Sequence, residues 1–320
     1  ACCSANTDNA PYEIPQTNAD KAQEPTSHTE PSSRRIAIIT DSVAQVPPDI
    51  AQRLGIRIIP FIVSLDGNEY LDGVDLPPLE FYKRMRLEKA TPTTSAPSIG
   101  SYVEIFRDCL ESGVQDIVYV ALCGRLSMAY SAAQKAADLL RADFPDSAIV
   151  IADSKLATIA QGFLAIEAAQ LVAEGGSVPE IVARIEEGRQ RVGFVAALDT
   201  LEYLARGGRI GKAAALLGST IKIKPIISID KDGLVTPVTS VRGGNRRALK
   251  ELVKRTAKRV GGKRLLHLAV MQADAQDRVA QLQAMAIEEL HPDEIFVTDF
   301  TPVMGAHTGP GLIGLAYHLA

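Results

Sequence analysis

Four groups of residues in this chain have the types and spacing that binding or catalysis needs. The run Thr91-Pro92-Thr93-Thr94-Ser95-Ala96-Pro97-Ser98 stands directly ahead of an apolar-periodic stretch at 99–110. Hydroxyls at a helix entry accept from its unpaired first amides, and the amides with spare hydroxyls can hold a carboxylate or phosphate. Ser127 lies in Leu122-Cys123-Gly124-Arg125-Leu126-Ser127-Met128-Ala129-Tyr130, just past an apolar run. That places it at the carboxyl end of a strand, the edge where open α/β sheets take their ligands. The turn Gly207-Gly208-Arg209-Ile210-Gly211-Lys212 lets backbone pack closely while projecting the fixed charge of Arg209. His307, flanked by Gly305 and Gly309 and next to Thr308, is suited to donate to a carboxylate at neutral pH.

Several sharper motifs are ruled out by spacing. A nucleotide-triphosphate loop ending at Gly211-Lys212 needs Gly at 206 and a hydroxyl at 213, where Arg206 and Ala213 stand. The formal Gly-x-Gly-x-x-Gly at 309–314 leaves no room for a βαβ unit or its distal acidic residue. Around Ser127 the strained Gly-x-Ser-x-Gly elbow is missing, because Arg125 and Met128 occupy the wrong places. A serine hydrolase using Ser127 and His307, with an acid such as Asp41, stays open as the competing reading. No Cys-x-x-Cys pair or His/Cys cluster at zinc spacing occurs, so no metal site is expected.

These groups need elements to position them. Residues 35–40 form a β-branched run ending in Asp41-Ser42 and followed by a helical pattern from Val46. The unit recurs with a strand at 116–122 and helix at 126–140, then a strand at 148–152 and a long helix to Glu174. Alternation of this kind implies parallel pairing in an α/β sheet. After a helix at 179–190 the pattern changes to a strand at 193–198, a short helix at 201–205 and a small-residue helix at 213–217. Strands at 226–230 and 234–241 then flank the tight-turn signal Asp232-Gly233. Helices at 245–260 and 274–290 and strands at 265–271 and 294–299 complete a second α/β layer. The chain therefore divides into a tail at 1–33, a domain at 34–192 and a domain at 193–320.

The tail holds one Ile and one Tyr and no Leu, Val, Phe or Met, so it cannot offset the entropy of ordering and is expected to be disordered. The 320 residues carry a formal net charge of −4, which exerts no overall pull towards polyanions, and nucleic-acid binding is not expected. Residues 242–264 are the exception, with ten Lys/Arg against Glu251 alone. Their inward stripe is Leu249, Leu252, Val253, Thr256, Ala257 and Val260, and the basic face is either simply solvated or steers an acidic protein or anionic membrane. Cys109 and Cys123 read as small buried hydrophobes, which fits a reducing cytoplasm.

In order along the chain, six segments resemble the DegV family over residues 36–317. They are Thr40-Asp41-Ser42, Thr93 to Ser98, Leu126-Ser127-x-x-Tyr130, Asp153-Ser154, Leu201-Glu202-Tyr203-Leu204 with Gly207-Gly208-Arg209-Ile210, and His307-Thr308-Gly309-Pro310-Gly311. The resemblance implies two α/β domains with one long-chain fatty acid buried between them. By matching motifs, Thr94, Ser95 and Ser127 would contact its carboxylate, His307 would be a further donor, and Thr93 and Arg209 would support them. It also implies a cytoplasmic, non-catalytic carrier with no cofactor beyond the bound lipid. Such a carrier presents the carboxylate to the catalytic subunit of a fatty acid kinase and docks through Arg242, while the basic face at 242–264 allows a transient membrane-surface contact. The chain departs from the family pattern at Ala96, which stands for a Gln, and at Cys123, Gly124, Met128 and Ala129, where hydroxyl groups are lost around Ser127.

Overall fold

Where strand and helix alternate, the chain pairs its strands in parallel. The computed structural model describes residues 34–87, 91–217 and 223–320, so the tail expected at 1–33 lies outside the described residues. The first stretch runs β1 (Ile36–Asp41), α1 (Pro48–Leu54), β2 (Arg57–Ile59), β3 (Ile62–Leu65), β4 (Asn68–Leu71), α2 (Pro78–Leu87), β5 (Thr93–Ser95) and α3 (Ile99–Glu111). It continues through β6 (Asp116–Ala121), α4 (Ala129–Leu140), β7 (Ile149–Asp153), α5 (Thr158–Ala173) and α6 (Val178–Gly188). Strands β2-β1-β6-β7 form a parallel sheet in that order, as the alternating pattern requires. Chain order reverses between β1 and β6, and loops leaving the carboxyl ends of two such strands diverge and open a crevice.

The remaining strands are β8 (Val192–Ala197), β9 (Ile223–Ile229), β10 (Val235–Arg242), β11 (Leu265–Gln272), β12 (Glu294–Asp299) and β13 (Ile313–Leu319). Between them lie α7 (Glu202–Arg206), α8 (Asn245–Val260), α9 (Gln276–Leu290) and α10 (Pro302–Thr308). They form a six-stranded sheet ordered β10-β9-β8-β13-β11-β12, in which only β11 and β12 pair in parallel. The β9–β10 hairpin turns where Asp232-Gly233 predicts, with Gly233 at φ 80°. Helix α8 buries Leu249, Leu252, Val253, Thr256 and Val260 of the expected stripe, together with Ala248, while Ala257 is half-buried.

Beyond β2, β3, β4, α2 and α10, which the sequence reading does not predict, three elements differ from it. Residues 213–216 belong to a 3₁₀ turn, Gly211–Leu216, rather than to a small-residue helix, and Leu217 is extended. The hydroxyl run contains a strand, because β5 pairs with β3 in a separate antiparallel sheet ordered β4-β3-β5. Residues 313–319, unread as a strand, form β13 at the centre of the six-stranded sheet, antiparallel to both neighbours. A strand covered on both faces shows no apolar–polar alternation, and only Tyr317 is not fully buried there.

All residues from Thr158 to Ala169 of α5 are buried. The helix is apolar on every side and packs against β1 and β6 of the first sheet and β8 and β13 of the second. Its one buried acid, Glu167, is paired with Arg191 at 2.7 Å and His318 at 3.0 Å. Arg34–Ala320 pack as one compact unit, with every strand of the four-stranded sheet before residue 154 and every strand of the six-stranded sheet after residue 191.

Candidate functional site

A cavity of about 390 Å³ opens at the carboxyl edge of the parallel sheet. Val43 follows β1, Leu122 and Leu126 follow β6, and Ala157 and Thr158 follow β7; all line it. The six-stranded sheet adds Phe194, Ile227 and Val235. Its size falls in the lower part of the roughly 300–1,000 Å³ spanned by small-molecule sites. Most of the wall is aliphatic or aromatic, and the polar lining residues include Thr94, Ser95, Ser127, Arg209 and His307. Those five residues come from four segments far apart in sequence, and the fold brings them to one cavity.

Each is positioned by local structure. Thr94 sits in β5 opposite Val63 of β3, and its Oγ1 is 2.8 Å from Nε2 of His307. His307 stands in the last turn of α10. Gly207, at the end of α7, packs against Nδ1 and Cε1 of the ring so closely that a β-carbon there would lie 2.3 Å from Nδ1. Nδ1 is buried with no hydrogen-bond partner, which leaves Nε2 as the nitrogen able to turn towards a ligand. The same two helices interlock again where Gly309 meets the ring of Tyr203. Two of the glycines in the 207–211 and 305–311 segments thus exist for the α7–α10 contact, not for phosphate binding.

Arg209 ties this corner to the first sheet. Its Nε donates to the carbonyl of Leu126 at 3.0 Å, and Nη1 donates to the carbonyl of Gly207 at 2.6 Å. Next in the chain, the Oγ of Ser127 accepts from the Ala129 amide at 3.1 Å at the entry to α4. Helix entries carry unpaired amides and a partial positive charge, so an anion near Ser127 is favoured electrostatically. Burial pushes His307 down to about 4, with the charge of Arg209 adding to the effect, so the ring is neutral at neutral pH. A neutral imidazole still offers one N–H, and it gains basicity when a carboxylate approaches.

Asp41 ends β1 and is fully buried. Its Oδ2 accepts from the Leu122 amide at 2.9 Å, the Tyr119 hydroxyl at 3.0 Å and Nε2 of Gln161 at 3.1 Å, which fixes the start of the Ser127 loop against β1. Burial raises its carboxyl to about 6 against those hydrogen bonds. Asp41, His307 and Ser127 are therefore each engaged elsewhere, and no hydrolytic relay links them. No group of three or more His, Cys, Asp or Glu side chains is placed to hold a metal among the described residues.

Other expected residues fall outside the wall. Thr93, one residue before Thr94 on β5, is exposed and is not part of the lining. Arg242 ends the edge strand β10 on the surface, away from the cavity lining. Ala96 lines the cavity, as does Met128, which is 72% exposed. Cys123 is buried with its thiol donating to the Gly233 carbonyl at 3.5 Å, so this departure packs against the β9–β10 turn. Cys109 is buried too, as expected, and its sulfur accepts from Arg57 at 3.0 Å. Sequence reasoning missed Val43, Phe61, Phe194, Phe300 and Met304, apolar lining residues that carry no chemical signature. No helix among the described residues is long and apolar enough to cross a membrane.

A family model described as uncharacterised protein, DegV family, matches residues 35–319. A DegV domain-containing protein of Streptomyces coelicolor is 35% identical over 286 residues, covering 88% of this chain and 98% of the relative. Among solved structures, a fatty-acid-binding DegV family protein from Thermus thermophilus superposes with a TM-score of 0.82 at 31% identity, covering 89% of this chain and 100% of that one. A stearic-acid-binding protein from Eubacterium ventriosum gives a TM-score of 0.81 at 27% identity, covering 89% and 98%.

Proposed function

Since the chain belongs to the DegV family, we propose that it binds a long-chain fatty acid in the cavity at the carboxyl edge of its parallel sheet. The observation that carries this reading is the distribution of polarity: an apolar wall with Thr94 and His307 hydrogen-bonded to each other beside Arg209 and Ser127. Burial of an acyl tail contributes about 0.8 kcal/mol per methylene, which makes one slot of this kind sufficient for tight retention. An ionised head left without donors would cost several kcal/mol. Thr94, Ser95, Ser127 and Nε2 of His307 supply those donors, with Arg209 holding the Leu126 carbonyl and offsetting the negative charge.

In the same reading the two halves meeting near residue 192 are the domains between which the lipid sits. The protein is a carrier in the cytoplasm rather than an enzyme. It presents the carboxylate to the catalytic subunit of a fatty acid kinase, with Arg242 on the exposed edge strand as a docking position. Native mass spectrometry of the purified protein tests the binding step, with an acyl ligand expected on the chain. Replacing Ser127→Ala together with His307→Ala removes two hydrogen bonds to a charged group, each worth about 1.5–3 kcal/mol, and is expected to weaken palmitate binding at least a hundredfold in a folded protein. No acyl ligand and no binding of palmitate or oleate by the wild type would overturn the reading.

A further inference from the structure

A second pocket, of about 460 Å³, lies directly behind the first. Three short segments separate them, and neighbouring residues in each face opposite ways. Val43 lines the first cavity and Ser42 the second; Phe61 lines the first and Pro60 the second; Phe300 lines the first, with Asp299 and Thr301 on the second. The apolar side of this partition is Val43, Phe61 and Phe300, all almost completely buried.

The far side is a hydrogen-bonded frame that fixes the backbones of those residues. Ser42 Oγ accepts from the Phe61 amide at 3.1 Å, and the Asp72 amide donates to the Phe61 carbonyl at 2.8 Å. The Asp72 carboxylate accepts from the Val303 amide at 2.9 Å, and the Tyr82 hydroxyl donates to the Phe300 carbonyl at 3.0 Å. Gln45 donates to the Asp299 carbonyl at 2.9 Å. The side chains of Gln45, Asp72, Thr298 and Thr301 make this second wall more polar than the first.

Distance along α10 places the partition at the tail end of the cavity. Phe300, Val303, Met304 and His307 all line the cavity. Phe300 stands just before the first turn of α10 and His307 in its last, which puts them at opposite ends of that helix. An acyl chain whose head meets His307 therefore points its methyl end at Phe300.

Resting on the fatty-acid reading, we propose that Val43, Phe61 and Phe300 form a length stop for the bound acyl chain, held rigid by Asp72 and its hydrogen-bonded frame. Saturated fatty acids from myristate to lignocerate test it by titration into the full chain. Wild-type affinity is expected to rise about fourfold per methylene up to a limit and then to fall. Phe300→Ala is expected to move that limit to longer chains by opening the second pocket, with affinity for myristate changed less than tenfold. Phe61→Leu serves as the milder opening should Phe300→Ala not fold, and shifts the limit in the same direction by less. Asp72→Ala, which lines no part of the first cavity, is expected to blunt the limit, whereas Asp72→Asn, retaining the acceptor for Val303, preserves it. A wild type without a length limit, or the same limit in the wild type and in every opened variant, would overturn the proposal. Failure of the wild type to bind any fatty acid would instead defeat the reading beneath it, and the stop with it.

Discussion

The four-stranded sheet reaches the cavity through loops that leave the carboxyl ends of parallel strands, whereas the six-stranded sheet reaches it mainly through two short helices locked across each other. Ser127 and Asp41 belong to the first arrangement, and His307 and Arg209 to the second. On the first side position follows from topology, because any loop after β1 or β6 opens at the same edge. On the second side it follows from contact: Gly207 against His307 and Gly309 against Tyr203 leave no space for a side chain. The two sides should therefore differ in what perturbs them.

The largest expected difference is in pH-dependent stability of the ligand-free protein. His307 is pushed down from 6.5 to about 4 on folding, so between those values the unfolded chain binds the extra proton and its contribution to stability is lost on acidification. Asp41 is pushed up from 3.8 to about 6, so the folded protein binds the extra proton and stability is lost as pH rises through that window. Each shift corresponds to up to about 3 kcal/mol, with opposite sign. Denaturant melts at pH 4 and pH 7 should show His307→Asn gaining stability relative to wild type on acidification, and Asp41→Asn gaining it on alkalinisation. Parallel curves for all three proteins would break the contrast.

A smaller effect compares one substitution on both sides. At Gly124, in the Ser127 loop, a β-carbon would meet the Tyr130 ring at 3.2 Å and the Asp153 carboxylate at 3.4 Å, contacts that a side-chain shift relieves. At Gly207 the same carbon meets the His307 ring at 2.3 Å, although the backbone there has an ordinary φ of −74°. Gly207→Ala is expected to weaken palmitate binding tenfold to a hundredfold, about 1.4–2.8 kcal/mol, while Gly124→Ala changes it less than threefold. Equal effects, measured by calorimetry, would remove the packing argument.

The same contrast explains what could be read from the chain. Strands at 35–40, 116–122 and 148–152 announce themselves by β-branched runs followed by helical periodicity, and the parallel sheet follows from them. Strand β13 did not, being buried on nearly every residue and preceded by glycines that resemble a dinucleotide fingerprint. The β3–β4 hairpin carries a usable signal in Asp66-Gly67, which adopt φ 52° and 80° as a two-residue hairpin turn demands. Thr94, Ser95, Ser127, Arg209 and His307 were legible because hydroxyl, guanidinium and imidazole groups are few and chemically marked. Phe61, Phe300 and Asp72 were not, because nothing in an isolated Phe or Asp shows which cavity wall the fold will assign it.

The central claim is that the polar end formed by Thr94, Ser127 and His307 receives a carboxylate. Carbon-13 NMR of palmitate labelled at its carboxyl carbon, bound to the protein and titrated with acid, tests it most directly. A single bound resonance is expected that stays ionised to lower pH than the free acid and loses that protection in Ser127→Ala with His307→Ala. A carboxyl resonance that titrates like free lipid, or that is unchanged by the double replacement, would contradict the account.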